Sequence, residues 1–319
     1  MTQVWRSALL ALLAWAVSAS FAAEKKSGVQ ITEAEGKLRI AINGELFSEY
    51  HYKDVSRPYL YPLIGPKELP MTRNWPMAEA PNEEHDHPHH RSWWHAHGEV
   101  NGHDFWSESA KAGKTVHDGF IEVKSGEKEG VIRSRNKLVS KEGQTICTDE
   151  RTLRIYSTGP HRVFDFEITT TASEGDLVFG DTKEGTTALR VAETMRLKGK
   201  VGKGHIVNSE GVRDGATWGK RAKWVDYHGP VKEQLVGAAI FDHPSNPRHP
   251  TYWHVRDYGL FAANPFGIHD FEKKEKGVGD LKLKKGEKVT FKYRFYLHEG
   301  DEKAGRVEEQ YQAYVKEVK

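Results

Sequence analysis

The sequence predicts an all-β protein: a large antiparallel β-sandwich with a short C-terminal helix. Three observations carry that expectation. Apolar and polar residues alternate through many short runs, turn residues separate those runs at intervals of roughly ten residues, and no helical periodicity is sustained before Glu302. A chain of 319 residues can form one large sandwich as readily as two smaller domains. With no internal repeat, linker or low-complexity tract, the economical division is a leader over residues 1–23 and one domain over residues 24–319.

The leader is read from Arg6, the apolar run at residues 8–17, and a small-residue cleavage site at Ser20-Phe21-Ala22 or Ala23. This is the pattern of a secretory signal, which implies a periplasmic or extracellular mature protein. No later stretch approaches the roughly 18 consecutive apolar residues of a membrane-spanning helix. The formal charge is +2. Loss of Arg6 with the leader brings it to about +1, far from the basic excess of a nucleic-acid binder. Cys147 stands alone, so no internal disulfide is expected, and its strand-like surroundings suggest a small buried residue.

In order, residues 29–31 and 38–42 alternate as strands, and Asn43-Gly44 is a hairpin turn leading to a strand at 45–47. Pro58, Pro62 and Pro66 make residues 57–66 a rigid edge or loop rather than a central strand. Strands are expected at 119–123, 130–134, 137–139, 145–148, 151–156 and 162–169, with turns such as Glu142-Gly143 between them. A strand at 187–195 would put Leu189, Val191 and Glu193 on one face and Arg190, Ala192 and Thr194 on the other. Residues 205–230 read as an aromatic and basic hairpin that walls a cleft, and 237–243 as an apolar strand before a loop at 244–250. A strand from Thr251 would gather Tyr252, His254 and Arg256 on one face, and Asn264-Pro265 and Phe266-Gly267 end that segment. The last strands are expected at 280–284 and 288–298. A terminal helix at 302–318 carries Val307, Tyr311 and Tyr314 or Val315 on its apolar side.

The chemistry concentrates between residues 85 and 106, which hold seven of the chain's 17 histidines together with Trp93, Trp94 and Trp106. In an extended segment His85, His87 and His89 would share one face, and His95 and His97 another. Imidazoles so gathered are either metal ligands or titratable groups of a polar site. Any one of them read alone is a solvated loop histidine. The tryptophans, costly to leave in water, imply that the segment runs into a packed wall or cleft. Aromatic faces beside hydrogen-bonding groups suit a sugar ring. Arg57 and Arg73 border this region, and Arg73 could fork onto a carboxylate or a sugar diol or form a surface ion pair. Glu193, partly buried on its strand, would have a raised pKa suited to acid–base work; an edge glutamate paired with a nearby arginine is the equal alternative. His254 is either a pocket residue or a satisfied core histidine.

Several motifs then speak together: Asp86-His87-Pro88-His89-His90-Arg91, His97-Gly98-Glu99-Val100-Asn101-Gly102 with Phe105-Trp106, and Asp181-Thr182-Lys183-Glu184-Gly185. To these are added Trp224-Val225-Asp226-Tyr227, Tyr252-Trp253-His254-Val255-Arg256 and Asn264-Pro265-Phe266-Gly267. The set resembles the bacterial PmoA-like family, often labelled methane oxygenase, along nearly the whole mature chain. The membrane-embedded monooxygenase activity behind that label is set aside, because this chain is polar and has no span after its leader. The resemblance implies a galactose-mutarotase-like sandwich found among secreted proteins of polysaccharide-degrading bacteria. In such folds histidines and a glutamate on neighbouring strands of a concave sheet move protons on a sugar.

Three functional expectations follow. The leading one is a secreted enzyme acting on a small-molecule or oligosaccharide substrate by proton transfer at a sugar carbon, as a lyase, an epimerase or a hydrolase of an oxidised glycoside. Its catalytic candidates are His89, His90, Arg91, Lys183, Glu184, Glu193 and His254. One of His89, His90 or Glu193 would be the base, and Arg91 or Lys183 would stabilise the oxyanion. Substrate contacts would come from Arg57, Arg73, His87, Asn101, Arg190, Arg256 and Asn264, with Trp93, Trp94, Trp106 and Trp253 as ring platforms. The second expectation is a divalent metal, zinc or copper, held by His87 and His89 or by His95 and His97, with Asp104 or His254 as third ligand. A copper oxygenase using an N-terminal histidine is disfavoured, since cleavage leaves Ala23 or Glu24. The third is a non-catalytic sugar-binding module, ranked last because stacking alone does not need so many ionisable groups. The residues leave the sugar, the metal and the oligomeric state open.

Overall fold

The computed structural model describes residues 27–317, so the expected leader lies outside the described residues. β1 (Val29–Ala34) and β2 (Lys37–Ile42) pair antiparallel. Asn43 and Gly44, at φ 52° and 85°, then turn the chain into β3 (Glu45–His51). A two-residue hairpin loop of this kind needs positive φ at both positions, which Asn-Gly tolerates best.

β4 (Tyr59–Leu63) corrects the expectation of an edge or loop: it lies between β3 and β5 (Trp93–His97) inside a sheet. The prolines are tolerated because the pairing is brief. Only Tyr59 and Leu60 pair with β5, and the β3 register breaks between Ser48 and Tyr50, opposite Pro62, so no ladder donor is missed there.

A long meander follows: β6 (Lys114–Lys124), β7 (Glu129–Val139), β8 (Thr145–Tyr156) and β9 (Arg162–Thr171). Runs read as separate strands at 130–134 and 137–139 are one element, as are those at 145–148 and 151–156. Then come β10 (Leu177–Phe179), β11 (Gly185–Arg190), β12 (His205–Asn208), β13 (Trp224–Val231) and β14 (Gln234–Asp242). β15 (Tyr252–Val255), β16 (Leu260–Asn264), a short α1 (Ile268–Glu272), β17 (Leu281–Leu283), β18 (Lys288–Glu299) and α2 (Val307–Glu317) complete the described chain.

Two eight-stranded antiparallel sheets result, one in the order β1-β2-β3-β4-β5-β11-β16-β15 and the other β12-β13-β14-β18-β9-β8-β7-β6. β17 pairs with β10 in a separate two-stranded ribbon. The expected all-β sandwich with its C-terminal helix is thus the observed architecture.

Side-chain alternation along β5 decides what each sheet face does. Trp93 enters the core between the sheets, edge-on to Phe166 at 4.9 Å and to Phe164 at 5.9 Å. Trp94 and Ala96 point the other way, into a smaller apolar layer with Trp106, Ala188 and Ala262. Trp253 is also core: it is fully buried and donates its indole N–H to the Ala222 carbonyl at 3.0 Å. Neither Trp93 nor Trp253 is therefore a sugar platform. Cys147 is fully buried in β8, and burial pushes its thiol pKa up.

On the outer face of the second sheet, Val307, Tyr311 and Tyr314 of α2 pack on Val163, Trp224 and Phe241. The strands of segment 205–230 belong to this sheet, beneath the helix against which Trp224 packs, while the loop between them puts Gly215 and Trp218 beside Arg256. Trp218, from the loop between β12 and β13, lies with its ring 6.4 Å from that of His254, and Gly219 and Arg221 beside it also meet β15. Replacing Trp93 by alanine should cost about 3–5 kcal/mol of folding stability, as for other large-to-small core changes; urea denaturation would measure it.

Candidate functional site

The site sits on the outer face of the first sheet, where the histidine-rich loop before β5 folds over the apolar layer of Trp94 and Trp106. Three buried arginines hold that loop. Arg73 donates to the carbonyls of Glu84 at 3.1 Å and His87 at 3.0 Å, and to the Asp86 carboxylate. Arg190, on β11, donates Nη2–H to Asp86 Oδ1 at 2.6 Å and Nη1–H to His90 Nδ1 at 3.0 Å. Arg57 donates to the carbonyls of Phe105 at 2.7 Å and His89 at 2.9 Å. Burial opposes ionisation of Asp86, yet its bonds to His87 and the charges of Arg190 and Arg73 outweigh that and hold the carboxyl well below its usual range. Two buried guanidiniums and the carboxylate between them satisfy one another.

With its backbone so fixed, the loop stacks its rings in a column. His90 lies on Trp94 with centroids 5.1 Å apart, His87 lies on His90 at 4.8 Å, and Tyr258 lies on His87 at 4.9 Å. His89 meets His90 edge-on at 4.4 Å. Beside this column opens a cleft of about 550 Å³, closed on its other side by Lys183, Glu184, His254 and Arg256.

The loop that brings Lys183 and Glu184 to the cleft is tied down at both ends. Asn264 donates to the carbonyls of Thr182 at 3.0 Å and Lys183 at 2.9 Å. Gly98 gives its N–H to Glu184 O at 2.7 Å, an approach so close that a Cβ on Gly98 would lie 2.7 Å from that of Glu184. Lys183 Nζ lies 3.2 Å from Glu184 Oε1.

His254 is the most telling side chain. Its Nδ1 lies 2.6 Å from the Lys183 carbonyl and can only donate there, so Nε2 carries the lone pair. That Nε2 is buried and has no hydrogen-bond partner. Burial lowers the His254 pKa to about 4. His89 is lowered to about 4 as well, by burial and then by the Arg57 charge. His90 is held well below its usual value, chiefly by burial. Arg190 can only donate, so His90 Nδ1 accepts and its proton sits on Nε2. The cleft thus has one imidazole fixed as acceptor and one as donor, both neutral at neutral pH.

Of the expected catalytic residues, His89, His90, Lys183, Glu184 and His254 converge here, with His87, Trp106 and Arg256 beside them. Arg91 does not: it turns to Glu108, donating from Nε and Nη2 at 2.7 Å each. Glu193 does not either. β11 ends at Arg190, and Glu193 begins a 3-10 turn where Arg196 Nη1 donates to both its oxygens, at 2.8 and 2.5 Å, as in the paired-arginine alternative.

The expected binding residues divide in the same way. Arg57, Arg73 and Asn264 hold backbone carbonyls, and Arg190 holds the Asp86 carboxylate and the His90 ring; none of the four lines the cleft. Asn101 is an exposed turn residue bridging Asp176 O at 3.0 Å and Val178 N at 2.7 Å. Trp94 is fully buried as the floor beneath His90.

The expected metal ligands divide: His87, His89, Asp104 and His254 line the cleft, though no three of their donor atoms lie within 4.8 Å of one another, while His95 and His97 lie elsewhere. His95 and His97 point into the sandwich, His95 against Phe166 and His97 2.8 Å from Gly180 O, because they share the Trp93 face of β5. Asp104 lines the cleft but is spent on a turn, accepting from Trp106 N at 2.8 Å, Ser107 N at 3.0 Å and the Ser107 hydroxyl. Among the described residues, the group of donors close enough to share an ion is Asp226, His228 and Glu302, within 4.8 Å of one another on the second sheet. Sequence reading picked out Asp226 within a motif but gave it no role. It likewise included Asp86 in a motif without seeing it as organiser, and it missed Tyr258 as wall, since no spacing pattern marks either role.

Residues 37–312 match a family of unknown function, DUF6807. The chain belongs to this family. The DUF6807 match names no activity, and nothing in the comparisons carries the PmoA label. No curated protein matches the sequence. Solved structures with a similar arrangement include an α-galactosidase from Lactobacillus brevis, 10% identical with TM-score 0.41 over 86% of this chain and 40% of that one. Another is galactose 1-epimerase from Lactobacillus acidophilus NCFM, 8% identical with TM-score 0.38 over 86% of this chain and 99% of that one. A third is a glycoside hydrolase family 97 enzyme from Pseudoalteromonas sp. strain K8, in complex with acarbose. It is 10% identical, with TM-score 0.35 over 85% of this DUF6807 chain and 34% of that one. The chain therefore spans less than half of the α-galactosidase and of the family 97 enzyme.

The buried neutral imidazoles carry a pH consequence. An unfolded histidine takes up its proton near pH ~6.5, whereas His89 and His254 do so in the fold only near pH about 4. Across that window the unfolded chain binds more protons, so stability falls as pH falls. The midpoint of urea unfolding should drop between about pH 6.5 and pH 4, and His254→Asn should flatten part of that slope.

Proposed function

We propose that the chain is a secreted enzyme that moves a proton on a sugar or sugar derivative, with His254 as base and His90 as hydrogen-bond donor. One observation supports this reading above the others: two neutral imidazoles, fixed in opposite tautomers by Lys183 O and Arg190, face one cleft. The bare Nε2 of His254 is placed to take a proton, and His90 Nε2–H to steady the oxygen on which charge develops. Lys183, already next to Glu184, offers a cation to that oxygen. Tyr258 and Trp106 supply aromatic faces for the C–H side of a ring.

A divalent metal on the same bare His254 nitrogen, with His87 or His89, is the second reading. It ranks lower because among the described residues the cleft gathers no three His, Cys, Asp or Glu donor atoms within 4.8 Å. Metal analysis of the purified protein, finding a near-stoichiometric transition metal that His254→Asn removes, would reverse the order.

The leading reading is checked by incubating the protein with a panel of neutral and oxidised sugars in D₂O and following proton exchange or turnover by NMR. His254→Asn keeps a donor for the Lys183 carbonyl but removes the base. It should lower the rate by roughly 10²–10⁴-fold. A variant as fast as the parent would take His254 out of that role.

A further inference from the structure

Four charged side chains line the cleft, two acidic and two basic, and one of them has no polar protein partner. Lys183 and Glu184 pair at 3.2 Å. Asp104 is occupied by Trp106 N, Ser107 N and the Ser107 hydroxyl. The fourth charged side chain of the lining is Arg256. Its guanidinium makes no hydrogen bond or ion pair with any described residue; it lies over two rings instead, 5.3 Å from the centroid of Tyr258 and 5.9 Å from that of Trp218.

Flanking aromatics hold a guanidinium in place while leaving its five N–H donors free. Elsewhere in this site every buried arginine is spent: Arg57, Arg73 and Arg190 each donate to several protein acceptors. Arg256 is built the other way, as a pre-positioned fork with nothing in it.

We infer that Arg256 is the seat of a carboxylate on the substrate, so that the cleft takes a sugar acid in preference to a neutral sugar. The inference rests on the sugar-directed reading above and deepens it. A planar fork matches a carboxylate through two parallel hydrogen bonds. A single unpartnered guanidinium, with the Asp104 carboxylate on the same lining, suits a singly charged group better than a doubly charged phosphate. A sulfate ester is also a monoanion, but its tetrahedral oxygens match the planar fork less well. Pairing with Arg256 also suits the proton transfer. When the C–H bond next to the carboxylate breaks, the proton goes to His254 Nε2 and the electron pair spreads into the carboxylate, where Arg256 meets the added charge. A proton delivered by solvent water to the other face would complete an epimerisation; transfer of the proton from His254 to a β-oxygen substituent as its C–O bond breaks would complete an elimination.

The test is calorimetric titration with matched pairs, glucose and glucuronate, galactose and galacturonate, mannose and mannuronate, plus a 6-O-sulfated galactose. The proteins are the parent chain, Arg256→Gln, Arg256→Lys and the control Lys198→Gln, an exposed lysine already paired with Asp257 at 3.1 Å. At least one uronate should bind about tenfold or more tightly than its neutral partner, as two charge-assisted hydrogen bonds allow. Arg256→Gln should erase that preference while keeping the affinity for the neutral sugar. Arg256→Lys should retain part of it, and Lys198→Gln all of it. Melting temperatures show which variants are folded, and Arg256→Lys, which keeps charge and stem, serves if Arg256→Gln is not. Equal binding of both members of every pair, or a preference that survives loss of Arg256, overturns the carboxylate seat and leaves the sugar reading standing. Preference for the sulfated sugar over every uronate overturns it also. Failure of any sugar to bind overturns both.

Discussion

The site depends on one buried arrangement: the Asp86 carboxylate held between the guanidiniums of Arg73 and Arg190. Leaving a buried charge without its partner is among the most costly changes a protein can undergo. The three groups therefore stand or fall together. Arg190 comes from β11 and Arg73 from the segment after β4, so the arrangement ties the histidine loop to two separate parts of the sheet. The same Arg190 fixes the tautomer of His90. Structural order and chemical character thus come from one side chain, and the loop needs no regular secondary structure of its own.

A second tether works through backbone. Asn264, at the end of β16, holds the Thr182 and Lys183 carbonyls, and the Lys183 carbonyl in turn orients His254 on the neighbouring strand. Sheet order makes this possible: β11, β16 and β15 are adjacent, so a turn at one strand end can present its carbonyl to a ring on another. Burial then keeps the ring neutral. The outcome is a basic nitrogen whose position is set by strands and whose protonation is set by exclusion of water.

Much of the fold was legible in the sequence because alternation and turn chemistry are local signals. Asn43-Gly44, the β6 to β9 meander and the Val307, Tyr311, Tyr314 stripe of α2 all declared themselves that way. β4 was misjudged because proline content argues against a ladder, while a pairing only two residues long hardly needs one. The histidine stretch stood out in the sequence, and His87, His89 and His90 do line the cleft, but the division of the stretch was not legible. The parity of β5 sends His95 and His97 to the core, whereas the preceding residues leave extended geometry altogether. Glu193 failed for the related reason that the strand expected to carry it stops three residues earlier. Tyr258 and Trp218 act through rings far away in sequence, and Asp86 takes its role from Arg73 and Arg190, so no local pattern shows what these residues do.

The two sheets use their outer faces differently. One is roofed by α2; the other is covered by loops and strand ends, and among these lies the cleft. Two parts of its rim, the 182–184 turn and the residues from Arg256 to Tyr258, are segments between strands whose opposite face is already committed to the core. Relatives built on this plan could therefore exchange those short segments and acquire new selectivity while their interior stayed the same, an economy that would let a single scaffold diversify by its rim alone.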